Sequence, residues 1–149
     1  MLKLNLPDTP LRIFEKEGKK WVFDGLRKKN IRLTPEEWVR QHFIYYLMND
    51  RGYPGSLIRV EAGHDVNRLR KRTDILVYNN MVEPVLLVEC KAPDVVLNQK
   101  TLDQLVNYNH KINAGYIVLT NGLHHFVAHY QQEKGYVFLD TIPQYSTIQ

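Results

Sequence analysis

Val85-Leu86-Leu87-Val88-Glu89-Cys90-Lys91-Ala92-Pro93 is the stretch that decides how this chain is read. Its apolar half has the length and branching of a buried strand, and Pro93 ends the pairing. Side chains alternate faces along a strand, so Glu89 and Lys91 point the same way. A carboxylate and an ammonium at the end of a buried strand are costly unless paired or used. Cys90 between them reads as a small core residue.

Working outward, Asp74-Ile75-Leu76-Val77-Tyr78 is a second strand, and the short loop Asn79–Pro84 makes the two an antiparallel hairpin. Asp74 opens one strand and Glu89 closes the next, so the two carboxylates meet at one end of the sheet. They repel unless a cation lies between them. Mg²⁺ prefers oxygen ligands and commonly uses one or two carboxylates with waters and a substrate phosphate. Lys91, on the same face, can orient or deprotonate a water. Asp74, Glu89 and Lys91 are therefore the candidate hydrolytic site, with Mg²⁺ or Mn²⁺ as cofactor. The Glu-x-Lys spacing is weak by itself: Glu17-Gly18-Lys19 repeats it in what reads as a turn. The plain alternative for Glu89 and Lys91 is a rim salt bridge, worth little.

The other elements surround this hairpin. Leu11–Phe14 and Trp21–Phe23 flank a turn at Gly18, an N-terminal β-hairpin. Thr34-Pro35-Glu36-Glu37 starts a helix, with Thr34 as cap and Pro35 at the first position. Val39, Phe43, Tyr46 and Leu47 recur at helical spacing. Glu36 shares their side at 100° per residue, and Glu37 lies well round from it. Leu57–Glu61 precedes the central hairpin as a strand. A helix is expected from about Leu97 to Lys111, then strands at Gly115–Thr120, Leu123–Tyr130 and Tyr136–Leu139. The fold class is α/β, a mixed β-sheet flanked by helices. The chain reads as one domain over 1–149, a β-unit at 1–30 and a core at 31–149.

Composition bounds the rest. The chain has 149 residues and one cysteine, too few for an internal disulfide, which suits a reducing cytoplasm. No apolar run approaches the roughly 20 residues of a membrane span, and the N-terminus does not read as a signal peptide. The net charge of +4 is mild, but its distribution is pointed. Arg68, Arg70, Lys71 and Arg72 run directly up to Asp74, where a phosphate-binding role competes evenly with a solvated surface. His124-His125 cannot chelate one ion together on a strand, because neighbours face opposite ways. His64 defaults to a surface role.

Four stretches together carry a resemblance: Thr34–Gln41, Lys71–Ile75, Val88–Pro93 and Thr120–Gly122. With Asp74 and Glu89-Cys90-Lys91, the chain resembles the PD-(D/E)xK nuclease superfamily. Gln104-Leu105-Val106-Asn107-Tyr108 is similar to the Gln-x-x-x-Tyr motif of its RecB-like branch. More closely, the chain resembles the N-terminal domain of type I restriction enzyme R subunits. The resemblance implies a restriction-endonuclease-like αβββαβ core. It implies that Asp74 and Glu89 bind a divalent metal, with the Cys90 carbonyl as a further ligand, and that Lys91 activates water. It implies a helical glutamate beside them; phase favours Glu36, and Glu37 stays open. Gln104 and Tyr108 would contact the DNA backbone or orient Lys91. The position before Asp74 is Thr73 rather than the motif's proline. R subunits carry a translocase after this domain, and none is expected within these residues. The implied function is a Mg²⁺-dependent DNA endonuclease of low sequence specificity, cytoplasmic, with DNA and proteins of a restriction or repair system as partners. The alternative is a binding or assembly module with the same fold and no catalysis; the co-occurrence of Asp74, Glu89 and Lys91 weighs against it.

Overall fold

The computed structural model describes residues 1–61 and 74–149. Its first unit is a 3-stranded antiparallel sheet of β1 (Ile13–Lys16), β2 (Lys19–Asp24) and β3 (Lys29–Arg32). Glu17 (φ 55°) and Gly18 (φ 75°) are both left-handed, the backbone of a two-residue hairpin turn whose twist matches its strands. The expected hairpin is therefore present with a tighter turn. The strand β3 was not expected: Lys-Asn-Ile-Arg has one apolar residue and is held by backbone pairing to β2.

Helix α1 (Pro35–Tyr45) starts as the sequence predicts. The Thr34 hydroxyl accepts the Glu37 N–H at 3.0 Å, and Pro35 occupies the first turn, where its missing N–H costs nothing. The helix runs on into a π turn over Tyr46–Asp50.

The second sheet is 6-stranded, in the spatial order β4 (Ile58–Glu61), β5 (Asp74–Tyr78), β6 (Pro84–Cys90), β7 (Tyr116–Thr120), β8 (His125–Gln131) and β9 (Gly135–Leu139). Every pair is antiparallel except β6 with β7. A parallel pair needs a long crossover, and α2 (Gln99–Ile112) supplies it. Asn98 and Thr101 cap it reciprocally, and Asn113 ends it in the left-handed region. A short α3 (Tyr145–Ile148) closes the chain.

Strand alternation divides the apolar residues between two cores. Leu86, Val88 and Cys90 of β6 face one side, with Val39 and Phe43 of α1 and Leu47 of the π turn. Leu87 faces the other, with Leu76, Ile117, Leu119 and Leu105 of α2. The mixed sheet flanked by helices, expected from the sequence, is the observed architecture.

Candidate active site

The site lies where β6 runs out. Glu89 alternates with Val88 and Cys90, so it belongs to the α2 face, in line with Leu87. It is buried, and Lys91 Nζ stands 3.0 Å from its Oε2. Lys91 also donates its backbone N–H to the Thr120 carbonyl at 2.8 Å, one more bond in the direction of the β6–β7 pairing. The strand thus carries Glu89 in the protein and Lys91 at its rim.

Across β5 and β6, Asp74 pairs directly with Glu89. The hairpin closes on Asn79, whose side-chain oxygen accepts the N–H groups of Met81 and Glu83, and a one-residue register shift at Val77–Tyr78 then brings Asp74 opposite Glu89. The rung extends both ways: Glu61 pairs with Asp74, Glu89 with Leu119, and Leu119 with Phe126. Glu61 and Phe126 are two neighbours that the sequence did not reveal. Each belongs to a strand whose register is set by pairing rather than by a short motif.

The donors fit a hard divalent cation. Two carboxylate residues in register and a following backbone carbonyl are an all-oxygen set, the kind that Mg²⁺ takes together with waters. Among the described residues, no three His, Cys, Asp or Glu side chains form a closed metal cage. An open site of one or two carboxylates does not require one.

The helical acids separate sharply. Both oxygens of Glu37 are engaged: Oε1 accepts from Arg40, and Oε2 from Arg27 Nη2 at 2.8 Å and Gln41 Nε2 at 2.9 Å. Arg27 also pairs with Asp24 at 2.6 Å, and Gln41 reaches Asp24 at 2.9 Å. Burial raises the Asp24 pKa, but the Arg27 backbone and side-chain hydrogen bonds and that of Gln41 outweigh it, and the net shift is downward. Glu37, expected to lie away from the core, is therefore buried, because the β2–β3 turn covers that flank of α1. Glu36 is 38% exposed on its side chain, with Arg40 Nη2 at 3.9 Å. Its helix packs on the face of the sheet opposite Glu89 and Lys91, so Glu36 belongs to the α1 side.

Helix α2 lies on the Glu89 face, against β6 and β7. Gln104 is exposed on it, and Tyr108 is half-buried against the α2-side core. Arg68, Arg70, Lys71 and Arg72, and also His64, lie outside the described residues.

The turn after β7 frames the site. The Asn121 side-chain oxygen accepts the N–H groups of Leu123 and His124, and its amide donates to the Val95 carbonyl at 2.9 Å. That last bond ties the turn to the loop following Lys91. Gly122 has φ 86°, a left-handed turn conformation that suits glycine. His125 bonds Thr120 Oγ1 at 2.7 Å and the Asn5 carbonyl at 3.0 Å. The carbonyl can only accept, so Nε2 carries a proton; Nδ1 can then take the Thr120 hydroxyl as a neutral ring. Burial lowers its pKa accordingly. His124 is exposed and precedes β8.

Among the described residues, no helix is long and apolar enough to cross a membrane. A family model described as the type I restriction enzyme R protein N terminus matches residues 35–143. That span begins at the first residue of α1 and leaves out the N-terminal sheet. No curated protein and no solved structure matches the chain significantly.

Proposed function

This chain belongs to the type I restriction enzyme R protein N-terminal family, and on that premise we propose that it is a Mg²⁺- or Mn²⁺-dependent DNA endonuclease domain of low sequence specificity. The observation that carries the reading is the pairing of Asp74 with Glu89, with Lys91 Nζ 3.0 Å from the Glu89 carboxylate at the rim of the sheet.

In this reading Asp74, Glu89 and the Cys90 carbonyl hold the cation. When bound, the metal supplies a Lewis acid for the scissile phosphate and lowers the pKa of a bound water. The protein's part is positioning and charge. Lys91 donates a hydrogen bond to the attacking water or to a phosphate oxygen, where its positive charge stabilises the developing negative charge. Glu89 holds the Lys91 ammonium at the mouth when no substrate is bound. Glu36 supplies a further acid from the α1 side, and Gln104 and Tyr108 steady Lys91 or the DNA backbone from α2. Arg68, Arg70, Lys71 and Arg72 bind flanking phosphates. The partners are DNA and other subunits of a restriction system.

A second reading, a nucleic-acid-binding or assembly module without catalysis, draws on the same 3.0 Å contact, because Glu89 and Lys91 also satisfy each other as a plain ion pair. Two measurements separate them. Nicking of supercoiled plasmid in Mg²⁺ or Mn²⁺ should disappear in Lys91→Ala with DNA binding largely kept. Calorimetric metal binding should disappear in Asp74→Asn. Plasmid cleavage by Lys91→Ala at the wild-type rate would overturn the mechanism. Absence of metal binding by the wild type would favour the non-catalytic module.

A further inference from the structure

Beyond the strands that α2 covers, the same face of the sheet carries three aromatic side chains open to solvent. Phe126 is 42% exposed, Tyr130 49% and Phe138 59%. Their common face follows from the pairing. Ala128 belongs to the α2-side core, Phe126 and Tyr130 stand two residues either side of it along β8 and so share its face, and Phe138 of β9 pairs with it directly. We infer that this face is a stacking platform for the unpaired bases of a single nucleic-acid strand whose phosphodiester lies at Lys91.

The inference deepens the nuclease reading and rests on it for where the phosphodiester sits. Phe126 shares the rung of Glu89. Two strand spacings separate them, about 10 Å, on one face. Phe138 is the diagonal neighbour of Phe126, and Tyr130 is that of Phe138, each step roughly 7–8 Å. The rings therefore lead away from Lys91 one at a time, rather than merging into one closed apolar patch.

Two features build the platform into the fold. Asn109 of α2 donates to the Tyr136 hydroxyl at 2.8 Å, and the Tyr136 ring meets that of Tyr130 edge-on at 5.2 Å. The far end of the platform is thereby keyed to the helix that carries Gln104. At the near end, a cleft of about 400 Å³ runs from Pro93, two residues beyond Lys91, to Phe126, with Val96 and His124 on its walls. The Asn121–Val95 bond ties together the two loops that line this cleft. It offers a slot for the base nearest the scissile bond. Every base has a π face, so such a platform is tolerant of sequence, in keeping with low specificity. A duplex hides those faces, so the preferred substrate is single-stranded or locally unpaired.

Fluorescence anisotropy tests this with the whole chain in EDTA, where metal-dependent cutting cannot occur. The probes are a labelled oligothymidylate of about 12 nucleotides, within the ~4–16 nucleotides of common single-strand sites, an abasic strand of the same length, and a duplex of that length. The single strand should bind more tightly than either control. Phe126→Ala and Phe138→Ala should each weaken it roughly five- to 150-fold and leave the duplex unchanged. Phe138→Leu, which keeps apolar bulk without a ring, should weaken it similarly. Single-strand binding that is absent, equal to the duplex, or indifferent to both Phe138 variants overturns the inference. So does a change in oligomeric state with Phe138→Ala at unaltered DNA affinity, which would make this face a protein contact. The EDTA measurement needs no cleavage, whereas cleavage is followed separately in Mg²⁺, where Glu89→Gln should abolish it. An inactive wild type would therefore refute the nuclease reading without deciding the platform.

Discussion

Replacing Glu37 by alanine should unfold this protein at a much lower temperature than replacing Glu36, its neighbour. Glu37 accepts from Arg27, Arg40 and Gln41. After its removal Arg27 keeps Asp24 at 2.6 Å and has some access to water. Arg40 does not: its side chain is 2% exposed, and its other acidic partner, Glu36, stands at 3.9 Å. Leaving one member of a buried pair without its counter-charge costs about 3–5 kcal/mol, a large share of the ~5–15 kcal/mol that typically holds a domain folded. At ~2–4 °C per kcal/mol for a chain of this size, the fall in Tm is roughly 6–20 °C. Glu36→Ala removes a half-exposed, long contact and should cost no more than about 1 kcal/mol. Urea denaturation followed by circular dichroism measures both. Converting both members of the pair, Glu37→Leu with Arg40→Met, should recover much of the deficit, because no unpaired charge is then buried. A cost below about 1 kcal/mol for Glu37→Ala would refute the argument. Loss of metal binding in Glu37→Ala at full stability would make Glu37, not Glu36, the acid of the site.

Two further outcomes follow from charge. The pKa of His125 is lowered in the fold, chiefly by burial, so the unfolded chain takes up this proton first. The stabilisation is complete above the unfolded value of ~6.5 and is lost as pH falls below it towards the folded pKa. His125→Gln should flatten that part of a denaturation series run from pH 7.5 to 5; an unchanged slope would mean that His125 stays accessible to protonation. DNA affinity should fall steeply with salt, and Arg68→Ser with Arg72→Ser should flatten the log–log slope by about 0.9 for each phosphate that the variant no longer neutralises. An unaltered slope would remove that basic run from the interface.

The central hairpin was legible because two constraints coincide in it. Apolar runs mark β5 and β6, and a short loop joins them, so Asp74 and Glu89 could be placed at one end of the sheet; their direct pairing depends on a one-residue register shift at Val77–Tyr78 that spacing does not reveal. Helix α1 was legible from its cap and its apolar spacing. Its charged flank was not. Periodicity assumes one buried side, whereas Glu37 is buried by a second body, the turn between β2 and β3, through Arg27 and Asp24. The strand β3 escaped for a related reason: backbone pairing holds it, and its side chains carry almost no apolar pattern. The exposed rings of Phe126, Tyr130 and Phe138 were visible as residues. That they share a face with Glu89 depends on the parity of three consecutive strand pairings, from β6 to β9, and one of these is a parallel crossover through α2. An error of one residue in any register would have reversed the conclusion.

The N-terminal sheet bears on where Glu36 is held. The family match begins at Pro35, after that sheet has ended. Yet Asp24 and Arg27, on the turn that leaves β2, take hold of Glu37 and Gln41 in the first turns of α1. Residues 36 and 37 differ by about 100° around a helix. Fixing Glu37 against the β2–β3 turn therefore fixes the azimuth of Glu36 on the α1 side. A helix start held only by its cap and core face would keep more rotational freedom than one clamped on a second flank by buried ion pairs. If Glu36 is the third acid, the added sheet is what aims it, and loosening Arg27 should displace a residue that Arg27 does not touch. Arg27→Met would then weaken metal binding calorimetrically in a protein that remains folded at the assay temperature. Unchanged metal affinity in that variant would separate the N-terminal sheet from the site and leave it as a stabilising addition.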